Sequence, residues 1–186
     1  MKQVLFIVLL TVLSCKNESS NSKVVDSNSI EDTIESPKEN AIDVSDIDLE
    51  IYDYDGLEPL INKKDDKIHV VNFWATWCAP CIKELPYFEN INKTYKDKDV
   101  VVLLVSLDFP KNYETKLKPY IKTKNLKSKV VAFDDTNQNR WIPAINEKWS
   151  GAIPATIIYK GEKRQFYERS FTQEELETEL KQFLSL

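Results

Sequence analysis

Glycine and histidine are scarce in this sequence, and both shortages exclude classes of functional site. The three glycines among 186 residues lie at positions 56, 151 and 161. They are too far apart for a G-x-G-x-x-G or G-x-x-x-x-G-K phosphate-binding loop. The single histidine, His69, and one close cysteine pair fall short of the four ligands of a structural zinc site. We therefore expect no metal and no bound cofactor. The mild net charge of −5 argues against a nucleic-acid partner.

The N-terminal apolar stretch is too short to span a membrane, which takes roughly 20 apolar residues. Lys2 followed by Val4–Leu13 instead predicts a signal peptide over residues 1–14. The sequence Val12-Leu13-Ser14-Cys15 resembles the lipobox of bacterial lipoproteins. Cleavage before Cys15 would leave it as the lipidated first residue, which predicts an extracytoplasmic (periplasmic) protein anchored to a membrane. An ordinary secretory signal or a short buried anchor is the alternative.

The cysteine count agrees with that interpretation. Three cysteines in an exported chain leave one unpaired, and lipidation of Cys15 would account for it. The other two, Cys78 and Cys81, form one local pair. A disulfide that closes a loop with only two intervening residues constrains the unfolded chain little, so this pair would contribute little to stability. It is better suited to redox chemistry, although an inert local disulfide stays open as an alternative.

The rest of the chain divides into a tether and one domain. Residues 15–47 are rich in Ser, Asn, Asp, Glu and Lys without a sustained apolar period, which predicts a flexible tether. Residues 48–186 carry strand and helix patterns in alternation. Strands are predicted at Leu49–Tyr52, Ile68–Trp74, Val100–Leu107 and Val130–Phe133, with a hairpin formed by Ala155–Tyr159 and Arg164–Glu168. Helices are predicted at Cys81–Lys96, Tyr113–Lys124, Gln138–Trp149 and after a capping box at Thr172. This order predicts an α/β domain with a central mixed sheet covered by helices on both faces.

The chemistry is concentrated where the second predicted strand meets a helix. Cys78 lies at that junction, and Cys81 lies one turn into the helix. The free N–H groups and the dipole of a helix N-terminus stabilise a thiolate, which is the nucleophile of disulfide exchange. Pro80 suits the first helical turn because no backbone N–H is needed there. The pattern predicts Cys78 as the nucleophile and Cys81 as the resolving cysteine.

At this point the sequence resembles a known family. Phe73–Cys81, F-W-A-T-W-C-A-P-C, is similar to the active-site segment of the thioredoxin superfamily, and within it of the TlpA/ResA-type anchored extracytoplasmic proteins. Pro86 and the loop Gly151–Thr156 match two further features of that group. The resemblance covers about residues 51–186. It implies a thioredoxin-like fold and thiol–disulfide oxidoreductase activity through the redox-active disulfide alone. It also implies a cis peptide bond between Ile153 and Pro154.

Individual site residues follow from the resemblance. Glu84 matches an acidic residue of the TlpA/ResA group, and burial near the sulfurs would raise its pKa toward neutral and let it exchange protons with Cys81. A solvated helix glutamate is the alternative. Trp77, Ile153 and Pro154 are expected to contact the substrate. Asn72 departs from the buried aspartate of cytoplasmic thioredoxins and cannot take a proton. The other three tryptophans, Trp74, Trp141 and Trp149, are expected in the core, with a role in substrate docking as the alternative for Trp141 and Trp149.

The implied partners are thiols and disulfides of other exported proteins. Clients of family relatives include apocytochromes c, and a thiol donor in the membrane would regenerate the reductant. The chain is expected to be a monomer. Two other functions stay open: a thiol peroxidase, and an anchored binding module that uses its disulfide as a redox sensor. The peroxidase would need a setting such as P-x-x-x-T-x-x-C, whereas Thr76 lies only two residues before Cys78.

Overall fold

The computed structural model describes residues 42–184. The predicted signal peptide, Cys15 and nearly all of the predicted tether lie outside the described residues. The strands are β1 Glu50–Tyr52, β2 Ile68–Trp74, β3 Val100–Ser106, β4 Lys129–Phe133, β5 Ala155–Lys160 and β6 Lys163–Tyr167. The helices are α1 Tyr54–Ile61, α2 Ala79–Thr94, α3 Lys118–Lys124, α4 Gln138–Ile145 and α5 Gln173–Leu184. Within residues 42–184, no helix is both long and apolar enough to cross a membrane.

One six-stranded sheet organises the domain, in the order β1-β4-β3-β2-β5-β6. The first four of these strands run parallel to one another, whereas β5 is antiparallel to β2 and β6. All seven residues of β2 are buried, as its nearly continuous apolar sequence predicts for a central strand. The predicted mixed sheet is therefore confirmed.

Helices cover both faces of the sheet and divide the core into two clusters. On one face, α2, α3 and α5 pack around Trp74, Phe88 and Leu104. On the other, α1 and α4 pack around Phe73, Ile157 and their neighbours. Because successive side chains of a strand point to opposite faces, the adjacent pair Phe73 and Trp74 contributes to both clusters.

Helix α1 was not predicted from the sequence. It starts at the N-cap Asp53, whose carboxylate accepts a hydrogen bond from the Gly56 N–H at 2.9 Å. Leu57 and Ile61 are fully buried one turn apart. Pro59 lies inside this short helix, and it is the residue that obscured the helical pattern.

Two predicted helices are shorter than expected. The predicted helix over Gln138–Trp149 ends at Ile145, because Asn146 adopts an extended backbone and its side chain accepts a hydrogen bond from the Lys148 N–H at 2.9 Å. In the segment Tyr113–Lys124 only α3 is a regular α-helix, and Tyr113–Leu117 forms a π-turn. Proline at position 119 has no N–H to donate to the preceding turn, which explains the break.

The fold brings several strand ends to one edge of the sheet. The carboxyl ends of the parallel strands β2, β3 and β4 meet there, and in α/β sheets this is the edge where ligands bind. Strand β5 starts at the same edge, because Ala155 pairs with Phe73 near the end of β2. The loops that follow β2, β3 and β4 and the loop that precedes β5 are therefore neighbours.

Candidate active site

Cys78 and Cys81 form a disulfide at the N-terminus of α2. Cys78 is the N-cap residue, and its Sγ accepts a hydrogen bond from the Cys81 backbone N–H at 3.3 Å. Cys78 retains 6% exposure, whereas Cys81 is fully buried. The helix therefore directs a backbone donor at the outer sulfur, which is the arrangement that favours a thiolate on Cys78.

The loop before Cys78 is held by a buried carboxylate. Asp108 accepts hydrogen bonds from the Thr76 N–H at 2.9 Å, the Thr76 hydroxyl at 2.5 Å and the Ser106 hydroxyl at 2.9 Å. It is only 2% exposed. Asp108 was not predicted from the sequence as a functional residue. The available signal was its position just after the apolar run of β3, since that strand ends at the same sheet edge as β2.

The loop before β5 lies against the outer sulfur. The Ile153–Pro154 peptide bond is cis, as the family resemblance predicted. The carbonyl oxygen of Ile153 lies 3.8 Å from Cys78 Sγ. Pro154 itself is buried, and Ile153 is partly exposed. The structure therefore brings both residues beside the disulfide, and their contact with a substrate stays a prediction.

Glu168, which directly follows β6, holds the first half of the loop before β5 by hydrogen bonds. Its carboxylate accepts hydrogen bonds from the Ser150 N–H at 3.2 Å and the Ala152 N–H at 3.3 Å, and also from the Ser150 hydroxyl. Gly151 lies between these donors with a φ of +91°, a conformation that favours glycine. A Cβ at this position would lie 2.8 Å from Ile142 Cδ1. Glu168 was not predicted as a functional residue, because nothing in the local sequence pattern links β6 to this loop.

Glu84 is buried one turn after Cys81 on α2. It is 1% exposed, so the alternative of a solvated helix glutamate is wrong. Loss of hydration raises the pKa of Glu84 to about 7, although hydrogen bonds from the Phe171 N–H at 2.8 Å and the Asn72 side-chain amide at 3.1 Å act in the opposite direction. A carboxyl group with this pKa can exchange protons near neutral pH. Its role in proton transfer stays a prediction.

Asn72 is a buried neighbour of Glu84 on β2. Its Nδ2 donates to Glu84 Oε1 and also to Thr156 Oγ1, at 3.1 Å in both cases. Its Oδ1 is buried and has no hydrogen-bond partner among the described residues. Asn72 can therefore either donate to a carboxylate or, after rotation of the amide, accept from a protonated carboxyl group.

One of the four tryptophans is exposed at the active site and three are buried in the core, as predicted from the sequence. Trp77 is 53% exposed beside Cys78 and stacks with Phe109, which is 58% exposed, with ring centroids 6.3 Å apart. Trp74, Trp141 and Trp149 are buried in the core. An exposed aromatic pair next to a reactive sulfur is a surface suited to contact with another protein.

The structure separates the histidine from the cysteine pair. His69 lies near the start of β2, where its Nε2 is 2.7 Å from Asp65 Oδ1, whereas Cys78 follows the other end of the strand. Within residues 42–184, no group of three or more His, Cys, Asp or Glu side chains is placed to hold a metal ion.

The fold and the site together define a class. A cysteine pair at the N-terminus of a helix, next to a cis-proline loop on a mixed sheet, is the architecture of a thioredoxin-like protein. The sequence profile of the AhpC/TSA family matches residues 45–164, which include both cysteines and the proline loop. The chain belongs to the AhpC/TSA family.

Individual relatives refine this assignment. A protein of Oceanobacillus iheyensis named thiol-disulfide oxidoreductase ResA is 51% identical over 39 residues, covering 21% of this chain and 20% of that protein. A ResA protein of Geobacillus kaustophilus is 28% identical over 135 residues, covering 72% of each chain. A crystal structure of a thiol:disulfide interchange protein from Chlorobium tepidum has a TM-score of 0.54 at 22% identity, covering 70% of this chain and 89% of that one. The predicted thioredoxin-like fold and the resemblance to the TlpA/ResA group are confirmed.

Proposed function

We propose that this chain is a thiol–disulfide oxidoreductase that reduces disulfides in other exported proteins. The observation that carries the proposal is the position of Cys78. Its sulfur is the N-cap acceptor of α2 and lies 3.8 Å from the Ile153 carbonyl, at an edge where a client segment can approach. The names of the relatives, thiol-disulfide oxidoreductase ResA, support the same chemistry.

The proposed reaction consists of two exchanges. The Cys78 thiolate attacks one sulfur of the client disulfide, a bond forms between them, and the other client sulfur leaves as a thiolate. The Cys81 thiolate then attacks the Cys78 sulfur, which forms the Cys78–Cys81 disulfide and releases the client's remaining sulfur as a thiolate. The client gains two electrons and the cysteine pair loses two. A membrane thiol donor would return these electrons by the same exchange in reverse.

Glu84 would serve the second exchange. Cys81 is fully buried, so bulk water reaches its thiol poorly. Glu84 lies one helical turn further along α2, and its pKa of about 7 allows it to accept a proton from the Cys81 thiol. The Glu84 carboxyl group then releases that proton when the pair is reduced again. When the Glu84 carboxylate becomes protonated, the Asn72 amide would rotate so that its oxygen accepts the new hydrogen bond.

Three residues would hold the client next to Cys78. Trp77 offers an exposed aromatic face, and the partly exposed Ile153 offers its backbone to an extended client segment. Pro154 shapes the loop that presents Ile153. Main-chain pairing of this kind tolerates many client sequences, so apocytochromes c are one class of client among several to be tested.

The proposed location is the outer face of a membrane, with the protein anchored through lipidated Cys15. The support is the sequence pattern of residues 1–15. The test is fractionation of cells that make the full chain. The wild type is expected with the membranes, and Cys15→Ser in the soluble or secreted fraction. An unchanged distribution of the variant would refute the lipid anchor.

The proposed function is tested by equilibrating the domain of residues 42–186 with graded thiol buffers, followed by turnover of a protein disulfide. A reduction potential near or below about −220 mV supports a reductase, and a value above about −180 mV would reverse the proposed direction. Cys78→Ser should abolish turnover, whereas Cys81→Ser should trap a mixed disulfide. If the pair forms no disulfide at any potential, oxidoreductase activity is ruled out.

The same preparation separates the two alternative functions. A thiol peroxidase would consume peroxide through Cys78, but Thr76, the nearest hydroxyl residue in the sequence, has its N–H and its hydroxyl bound to Asp108. We therefore expect peroxide consumption no faster than that of a free thiol. A redox-sensing binding module would keep its biological activity in Cys78→Ser, whereas an oxidoreductase would lose it.

A further inference from the structure

A groove leads away from Cys78 across the carboxyl-end edge of the sheet. It has a volume of about 360 Å³ and starts at Trp77 and Ile153, the two residues that border the sulfur. From there it passes Phe109 after β3 and reaches Asp134 after β4. The proposed reaction involves only the start of the groove, at Trp77 and Ile153. The rest of the groove is therefore available to parts of a client beyond its cysteine.

The groove combines an exposed aromatic rim with a buried aromatic floor. The rim is the stacked pair Trp77 and Phe109, which are two of the four large apolar side chains exposed among the described residues. The floor includes Phe133 and Trp141, which pack edge to face with ring centroids 4.9 Å apart. Both side chains of the floor are nearly fully buried, so an apolar client side chain would pack against a surface that the fold already holds in place.

The charged residues that line the groove all carry the same sign. Asp108, Asp134 and Asp135 are acidic, and no lysine or arginine lines it. The carboxylate of Asp135 accepts hydrogen bonds from the backbone N–H groups of Tyr54 and Asn137. Asp108 is likewise occupied, by Thr76 and Ser106.

Asp134 differs from these two carboxylates. It is exposed, and none of the side-chain hydrogen bonds or ion pairs within residues 42–184 involves its carboxylate, although its charge acts on the buried hydroxyl of Tyr113. Two basic side chains outside the groove lining have partners of their own: Lys111 Nζ lies 6.0 Å from the centre of the Phe109 ring, and Arg140 pairs with Asp55. The groove therefore presents one free negative charge next to an aromatic rim.

We propose that this groove selects client segments that carry a lysine or arginine and a large apolar side chain close to the reactive cysteine. The cation would pair with Asp134, and the apolar side chain would pack between the Trp77–Phe109 rim and the floor. The inference rests on the proposed function and adds a substrate class to it. A client with an acidic residue at the same position would be repelled by the three carboxylates.

The test uses three synthetic peptides, each with one cysteine in a disulfide with glutathione and one phenylalanine. They differ at a single position that carries lysine, glutamine or glutamate. For the reduced domain at low ionic strength, kcat/KM is expected to follow Lys > Gln > Glu. An exposed ion pair corresponds to a preference of about twofold to fivefold for lysine over glutamine. The preference should shrink in about 0.5 M salt because screening weakens exposed ion pairs.

The variant Asp134→Asn removes the free charge and leaves the backbone hydrogen bond from the Asp134 N–H to the Tyr52 carbonyl intact. For this variant, the ratio of kcat/KM for the lysine peptide to kcat/KM for the glutamine peptide is expected to fall to about one. Because both values are measured on the same variant, a change in its overall rate cancels in the ratio. The matched control is Asp97→Asn, an exposed aspartate near the start of β3, at the other end of that strand from the site. It should keep the wild-type ratio.

Two results would overturn the inference: equal rates with all three peptides at low salt, or a lysine preference that persists in Asp134→Asn. Failure of the proposed function gives a different result. In that case the wild-type domain would also fail to reduce a small uncharged disulfide such as oxidised 2-mercaptoethanol, which needs no groove.

Discussion

The side-chain amide of Asn72 donates a hydrogen bond to Glu84 Oε1 across 3.1 Å, in the buried layer between β2 and α2. The other oxygen of Glu84 is occupied by the Phe171 N–H, so the carboxyl group has a donor on each side. Burial nevertheless dominates and raises the pKa of Glu84 to about 7. The site thus holds a group that changes charge near neutral pH one turn from the buried sulfur of Cys81.

The raised pKa of Glu84 predicts a particular dependence of stability on pH. The folded state holds its proton up to pH about 7, whereas the unfolded chain releases it near the ordinary value of 4.5. The folded state therefore binds more protons between these values, and the free energy of unfolding must fall as the pH rises through this window. The full change is about 3 kcal/mol, at 1.36 kcal/mol for each pKa unit between 4.5 and about 7.

The measurement is urea unfolding of the wild type and Glu84→Gln between pH 5 and pH 8. Glutamine keeps the shape of a protonated carboxyl group, and a rotated Asn72 can accept a hydrogen bond from it. The stability of the wild type relative to the variant should decline over this range. Taking the difference cancels the titration of the other groups. Parallel curves would mean that Glu84 titrates normally.

Glu84→Gln is also expected to slow the resolving step. Without a proton acceptor near Cys81, release of the client from the mixed disulfide should become about 100-fold slower, at the lower end of general-base effects. Formation of the mixed disulfide by Cys78 should change little. Quenched-flow trapping followed by non-reducing electrophoresis distinguishes the two steps. The exposed Glu58→Gln on α1 is the matched control, and equal slowing in both variants would remove Glu84 from the mechanism.

Asp108 is expected to position the loop before Cys78. In Asp108→Asn, an amide NH₂ group would face donors of Thr76 and Ser106, and the loss of stability should be about 1–3 kcal/mol, the cost of buried groups left without partners. Ser106→Ala removes one donor to the Asp108 carboxylate and the acceptor of the Asp108 N–H, but it leaves both hydrogen bonds from Thr76 in place and puts no mismatched donor beside them. Its cost should therefore be smaller.

The second measurement for Asp108 is the rate at which reduced Cys78 reacts with iodoacetamide across a range of pH. A displaced loop would shift the midpoint of this profile in Asp108→Asn and not in Ser106→Ala. An unchanged profile together with reduced stability would assign Asp108 a purely structural role.

Glu168 is expected to act on client binding through the proline loop. Glu168→Gln keeps one acceptor oxygen and replaces the other by an NH₂ group, which weakens the hold on Ser150 and Ala152. We expect KM for a protein disulfide to rise about fivefold, equivalent to one net hydrogen bond, with kcat nearly unchanged. Glu162→Gln, in the exposed turn between β5 and β6, is the control. A fall in kcat with constant KM would contradict this assignment.

Patterns that depend on neighbouring residues were predicted well. The buried run of β2 has the predicted bounds, and the capping box is present, since Thr172 and Glu175 exchange hydrogen bonds. The active-site cysteines were placed at a strand–helix junction, and α2 begins directly after Cys78. These features are encoded within a few residues, so the order of the strands in the sheet does not affect them.

Errors arose where a local signal was ambiguous. Helix α1 was missed because Pro59 interrupts its pattern, and α4 ends early because Asn146 bonds to its own turn. The burial of Glu84 was left open between two alternatives. A glutamate three residues after Cys81 faces the core or the solvent according to how α2 rotates on the sheet, and no single-helix pattern decides that rotation.

The sequence by itself determined the cysteine pair, the helix that activates it and the class of chemistry, because these depend on residues within one turn of each other. Tertiary structure alone decided which carboxylates surround the pair. Asp108 reaches Thr76 across 32 positions, and Glu84 reaches Phe171 across 87. These contacts exist because β3 lies beside β2 and because α5 packs against α2. Burial in that assembly, and not the identity of the residue, shifts the protonation of Glu84 into the neutral range.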